Sequence, residues 1–181
     1  MILILFGLIL WSGTHFWKRI APDHRARFGD KGKAIVAVGS GIAIVLMVIG
    51  YRGADGAMFW GRSPAMTGIN NLLMLLSFYL FASSGAKTRI TKYVRHPQLA
   101  AVKVWAIAHL LVNGDTPSFL LFGGLLAWAV AEVIVLNRVQ PAWTPAHDVP
   151  VKKEFTAVIA TVVVFVVVAL IHLWLGVNPF G

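Results

Sequence analysis

The chain has 181 residues, of which 58% are hydrophobic and 13% charged, against a soluble average of about half apolar and a quarter charged. A soluble domain of this length has no interior that could hide so many apolar side chains, whereas a bilayer accommodates them. The net charge of +9 lies in short loops between apolar runs, with no separate basic domain, which argues against nucleic acid as a partner; with no Cys, disulfides, thiolate metal sites and Cys nucleophiles are excluded.

Six apolar segments predict an all-α polytopic membrane protein, about six transmembrane helices with short loops, as one domain over residues 1–181. The first, 2–17, has no basic stretch before it and no small-x-small cleavage site after it. It reads as a retained span rather than a signal peptide. Segments 34–51 and 67–86 have spanning length. The fourth, 98–112, is short and follows Pro97, a residue suited to the first turn of a helix. Asn113-Gly114-Asp115 and Pro117 mark a tight turn before the fifth, 118–136. The last, 155–175, is rich in Val. Its length and lack of polar alternation predict a lipid-facing helix rather than a strand, and Trp174 near its end suits an interfacial belt.

The loops predict orientation. Lys18, Arg19, Arg25, Arg27, Lys31 and Lys33 follow the first segment; Lys87, Arg89, Lys92 and Arg95 follow the third; Arg138, Lys152 and Lys153 follow the fifth. The alternate loops hold only Arg52 and Arg62. This bias puts the basic loops in the cytoplasm, and predicts a multi-pass bacterial inner-membrane protein with both termini periplasmic.

Ionisable groups inside a membrane are costly, so each is a functional candidate. Four stand out: His15, Lys103, His109 and Glu132. His15 and His109 could each ligate haem iron or simply hydrogen-bond a neighbouring helix. Lys103 can snorkel to the inner surface. Glu132 can form a structural ion pair with an Arg, or orient a ligating His. Arg19, one turn after His15, and Arg95-His96-Pro97 at the start of the fourth helix lie at the same membrane side. They suit haem propionates, an anionic substrate or phospholipid headgroups. Trp105, one turn before His109, could line a pocket. His24 and His147 read as solvated loop residues, and His172 as interfacial.

Arg95-His96-Pro97-Gln98 and the block from Trp105 through Ala108-His109-Leu110 to Asn113-Gly114-Asp115 resemble the NnrU family of bacterial membrane proteins. His15 with Arg19, the basic loop, Gly29 and Lys31-Gly32-Lys33 fit the same resemblance, which covers nearly the whole chain. The family name implies a link to nitrite and nitric oxide reductase expression in denitrification. The family is similar to the 15-cis-ζ-carotene isomerase of plants and cyanobacteria, a membrane enzyme with haem b held by two His. His15 and His109 match those two positions. The resemblance therefore implies haem b with His15 and His109 as metal ligands. Arg95, His96 and Pro97 match the shared motif with no role assigned by it; Arg19 and Arg95 are the expected propionate or anion partners of the cofactor, beside His96. Arg-His-Pro also occurs in the isoprenylcysteine carboxyl methyltransferase superfamily. That pattern continues with a Glu-Glu pair and a Phe-Gly-x-x-Tyr stretch, where this chain has Glu132 and Asn137-Arg138 and no such stretch.

Three functions follow as expectations. The first is a haem-b-binding membrane protein of nitrogen-oxide metabolism or a related redox step, which as an enzyme would be a haem-dependent isomerase or oxidoreductase acting on a lipophilic substrate. The second is a methyltransferase-like enzyme with its donor site around His96. The third is a non-enzymatic assembly or sensor subunit of a respiratory or denitrification membrane complex.

Overall fold

The computed structural model describes residues 1–145 and 148–180; His147 lies outside them. Seven helices account for most of the chain: α1 (Ile2–Ile20), α2 (Pro22–Ala26), α3 (Lys31–Arg52), α4 (Pro64–Ala86), α5 (Pro97–Val112), α6 (Thr116–Val139) and α7 (Val151–Trp174). Two short strands, β1 (Met58–Trp60) and β2 (Gly114–Asp115), pair in a two-stranded sheet.

Among the described residues, four helices, α3, α4, α6 and α7, are long and apolar enough to cross a membrane. The protein is thus an all-α polytopic membrane protein, with four helices meeting that standard where the sequence predicts six. α1 falls short because His15, Lys18 and Arg19 crowd its last turns. α5 falls short in length: 16 residues rise about 24 Å, less than the roughly 30 Å hydrocarbon core. α2 lies in the basic stretch between the first two apolar segments and starts at Pro22, a residue preset for a first helical turn.

The helix ends follow their sequences. Ser63 accepts a bond from the Met66 amide, with Pro64 in the first turn of α4. Asp115 accepts from the Ser118 amide at 2.8 Å to open α6, with Pro117 in its first turn. Pro97 opens α5 directly after His96. A single π-helical turn, Phe119–Gly123, lies within α6.

The chain divides into two compact units, Met1–Phe59 with Asp115–Pro141, and Trp60–Gly114 with Ala142–Gly181. In the first, α1 packs against both α3 and α6. α1 and α3 run antiparallel and approach closely at two glycines. A Cβ on Gly7 would lie 2.8 Å from the Ala43 carbonyl oxygen, and one on Gly50 would lie 2.8 Å from the Ile4 amide nitrogen. α1 and α6 run parallel: Leu8 sits on Gly124, Trp11 and His15 on Trp128, and Arg19 on Glu132.

In the second unit α4 packs against α5 and α7. The Ser77 hydroxyl donates to the Ala101 carbonyl at 2.9 Å, and the Tyr79 hydroxyl donates to Glu154 Oε2 at 2.9 Å. The other Glu154 oxygen accepts the Arg89 amide.

The fully buried positions are mostly small, among them Ala43, Ser77, Ser83, Ala101, Ala106, Ala108, Ser118 and Ala129. Close backbone approach through small residues is how helices associate where lipid removes the hydrophobic drive. The large apolar side chains point outward instead. On α7, Val158, Ile159, Val162, Val163, Val166 and Val167 are each about half exposed or more, as a helix facing lipid requires.

Candidate functional site

On α1, Trp11, His15 and Arg19 recur every fourth residue and share one face. On α6, Trp128 and Glu132 do the same. The parallel packing sets one stripe on the other. The His15 ring lies 4.1 Å from the Trp11 ring, tilted by 32°, and 5.0 Å from the Trp128 ring, edge to face at 71°. The two indoles meet edge to face at 5.3 Å. One turn further along both helices, Arg19 Nε stands 3.8 Å from Glu132 Oε1. That is an ion-pair separation, too long for a hydrogen bond. The Arg19 side chain is 25% exposed, and that of Glu132 8%.

The His15 ring is fixed by its own helix. Its Nδ1 lies 2.8 Å from the Trp11 carbonyl oxygen, with the Thr14 hydroxyl at 3.3 Å. A carbonyl only accepts, so Nδ1 carries the proton and Nε2 carries the lone pair. Four atoms of this seam are buried with no hydrogen-bond partner among the described residues: Trp11 Nε1, Trp128 Nε1, Arg19 Nε and Glu132 Oε2. Leaving such a group unmatched costs about 1–3 kcal/mol, so a cluster of four calls for an explanation.

In the second unit, His109 on α5 repeats the local device. Its Nδ1 donates to the Trp105 carbonyl at 2.9 Å, and the two rings lie 5.0 Å apart. Asn113 closes the helix by donating its side-chain amide to the His109 carbonyl, also at 2.9 Å. His172 likewise donates from Nδ1, to the Val168 carbonyl at 2.8 Å. The carbonyl bond alone is therefore shared by His15, His109 and His172, though not by His24 in α2. The Trp one turn earlier, present before His15 and His109 and absent before His172, is what sets those two apart.

Residues 2–179 match the family model described as NnrU protein. The chain belongs to the NnrU family. No curated protein and no solved structure matches it.

The NnrU chain distributes the expected site residues between its two units. His15 and Arg19 lie in the first, where they gather with Glu132; His109, Arg95 and His96 lie in the second. His96 occupies the N-cap position of α5 without a side-chain capping bond, and Arg95 donates to the Ala142 carbonyl at 3.2 Å. His24 accepts a hydrogen bond from Trp17 Nε1 at 2.9 Å at an exposed position, so the basic loop is ordered around it. There Arg25 lies over the Trp17 ring at 5.5 Å and donates to the Gly29 carbonyl. Gly29 takes a positive φ of 48°, which glycine adopts without strain.

Among the described residues, no three His, Cys, Asp or Glu side chains group as a metal site. Sequence reasoning missed Trp11, Trp128 and Glu154. The four-residue spacing of Trp11 to His15, matched by Trp105 to His109, was the available signal for the first.

Proposed function

We propose that this NnrU-family chain is a haem-b-binding integral membrane protein of the bacterial inner membrane, with iron ligands drawn from His15 and His109. The observation that carries the reading is the twice-used Trp-x-x-x-His arrangement. In each case the i−4 Trp carbonyl accepts a hydrogen bond from Nδ1–H, which places the lone pair on Nε2. A backbone acceptor on the far ring nitrogen fixes the tautomer and raises the basicity of a ligating imidazole. The donor set thus fits haem iron. Arg19 supplies a cation one turn from His15, suited to a propionate, and Arg95 and His96 supply the corresponding polar groups beside α5.

Bound haem would supply one-electron chemistry, or activation of a polyene. The chain's own residues would orient the ring nitrogens and present a largely apolar entry for a lipophilic substrate. The assignment to nitrogen-oxide metabolism, or a related redox step, follows the family resemblance, and so does a denitrification or respiratory complex as partner. Positive-inside bias supports periplasmic termini.

The test is a reduced-minus-oxidised visible spectrum of the full-length protein, purified in detergent after expression with haem supply, with a pyridine haemochrome assay for stoichiometry. About one low-spin haem b per chain, lost in His15→Ala and in His109→Ala, is the expected result. A full haem spectrum retained by both variants, or no haem at all, overturns the reading. In the latter case a methyl-donor titration around His96 becomes the next experiment.

A further inference from the structure

The seam between α1 and α6 carries a feature that iron ligation leaves unexplained. Trp11 Nε1, Trp128 Nε1 and Arg19 Nε are N–H donors; Glu132 Oε2 is an acceptor; all four are buried and unmatched. Glu132 and Trp128 are only 6% and 7% exposed. The seam lies wholly within the first unit, so its geometry rests on the packing of α1 on α6 alone.

The valence of these groups narrows what could match them. An anion would meet the N–H groups but face the Glu132 carboxylate. A cation would meet Glu132 but face Arg19 and the indole hydrogens. A ketone or ether oxygen could accept from the indoles and leave Glu132 Oε2 unmatched. A hydroxyl group has two lone pairs and one proton. It can accept from both indoles and donate to the carboxylate oxygen, which leaves Arg19 Nε offset by its ion pair with Glu132 Oε1 at 3.8 Å.

We propose that the α1–α6 seam binds a hydroxyl group, its oxygen accepting from Trp11 and Trp128 and its proton donated to Glu132. Two sources share this chemistry: an internal water, which needs two to four polar partners of this kind, and the hydroxyl of a lipophilic alcohol or phenol such as a quinol. The aromatic rings of Trp11, Trp128 and His15 give the second source a wall to stack on.

The experiment is indole N–H NMR on full-length protein labelled with 15N-tryptophan in lipid nanodiscs, the Trp11 and Trp128 signals being assigned by Trp11→Phe and Trp128→Phe. A water in the seam gives both indoles cross-peaks to a slowly exchanging water in the protein as purified. A lipophilic hydroxyl gives no such cross-peak, but a saturable downfield shift of both signals on adding reduced decylubiquinone. The affinity read from that shift weakens at least tenfold in Glu132→Gln, and in Trp128→Phe as read at the remaining Trp11 signal. Since Phe keeps an aromatic ring of similar bulk, the second variant keeps the test valid should the first fail to fold. If neither a water cross-peak nor a saturable shift appears at these two indoles, the proposal is wrong. None of these readouts depends on haem, so the two readings fail separately.

Discussion

Removing the Arg19–Glu132 pair one partner at a time measures how the seam is held. The charges stand 3.8 Å apart, with Glu132 nearly buried and a quarter of the Arg19 side chain exposed. Two unit charges near 4 Å attract by about 4 kcal/mol at an effective dielectric of 20. Exposure of Arg19 to solvent and headgroups lowers that, and the separation is too long for a hydrogen bond to add to it. The expected coupling is about 1–3 kcal/mol, between an exposed pair and a fully buried one. Arg19→Ala and Glu132→Gln should each destabilise the protein, and the double variant should lose less than the two single losses combined, by that coupling. The assay is unfolding by titrated SDS in mixed micelles, followed by helical circular dichroism. Tryptophan fluorescence serves as a second probe because Trp11 and Trp128 flank the pair. Effects that add to within about 0.5 kcal/mol would show that the two groups do not interact, and would refute the parallel register of α1 on α6.

The remaining predictions concern packing and orientation. Gly7→Ala should cost about 1–3 kcal/mol in the same assay, since its Cβ would press on the Ala43 carbonyl, whereas Gly13→Ala on the same helix, with nothing within 4 Å, should be neutral or stabilising by up to about 1 kcal/mol. Equal effects at the two sites would count against the α1–α3 approach. In the second unit, Glu154→Ala strips the acceptor from both Tyr79 and the Arg89 amide and should cost about 2–4 kcal/mol, while Tyr79→Phe removes one bond and should cost about 1–2 kcal/mol. Reversal of that order would refute the network. Because the chain has no native Cys, single cysteines report topology cleanly. Asp55→Cys should react with an impermeant maleimide on intact cells, and Lys92→Cys only after permeabilisation; the opposite pattern would invert the orientation.

The helices were legible because their signals are local. Long apolar runs, Pro97 and the Asp115 turn each depend on a few neighbouring residues, and the structure places helix starts where those signals stand. Glu132 was legible as a group needing a partner, and an Arg was among the partners expected. That the Arg is Arg19 was not, because the parallel register of α1 and α6 is set by tertiary packing at Gly124 and Leu8. Trp11 and Trp128 read as ordinary lipid-facing aromatics for the same reason: an indole on an apolar helix has no assigned face until its neighbour is known. The count of six spans turns on α1 and α5, which combine apolar runs with polar residues or short length and so fall outside the length and hydropathy standard that α3, α4, α6 and α7 meet.

The seam also bears on why the chain keeps a carboxylate there. A Leu at position 132 and Phe at positions 11 and 128 would fill comparable space without any unmatched polar atom, and replacing a buried ion pair by packed apolar residues is often neutral or stabilising. Each buried donor or acceptor left unmatched instead costs about 1–3 kcal/mol. Stability alone therefore does not account for two indole N–H groups, a guanidinium and a carboxylate on one pair of facing helical stripes. Membrane interiors sharpen the argument, since little bulk water reaches such groups. The hydroxyl proposed for the seam would offset that cost. His15, whose ring touches both indoles, connects that requirement to the imidazole proposed for iron: a change in what the indoles bind would be felt at the ring within about 5 Å of each.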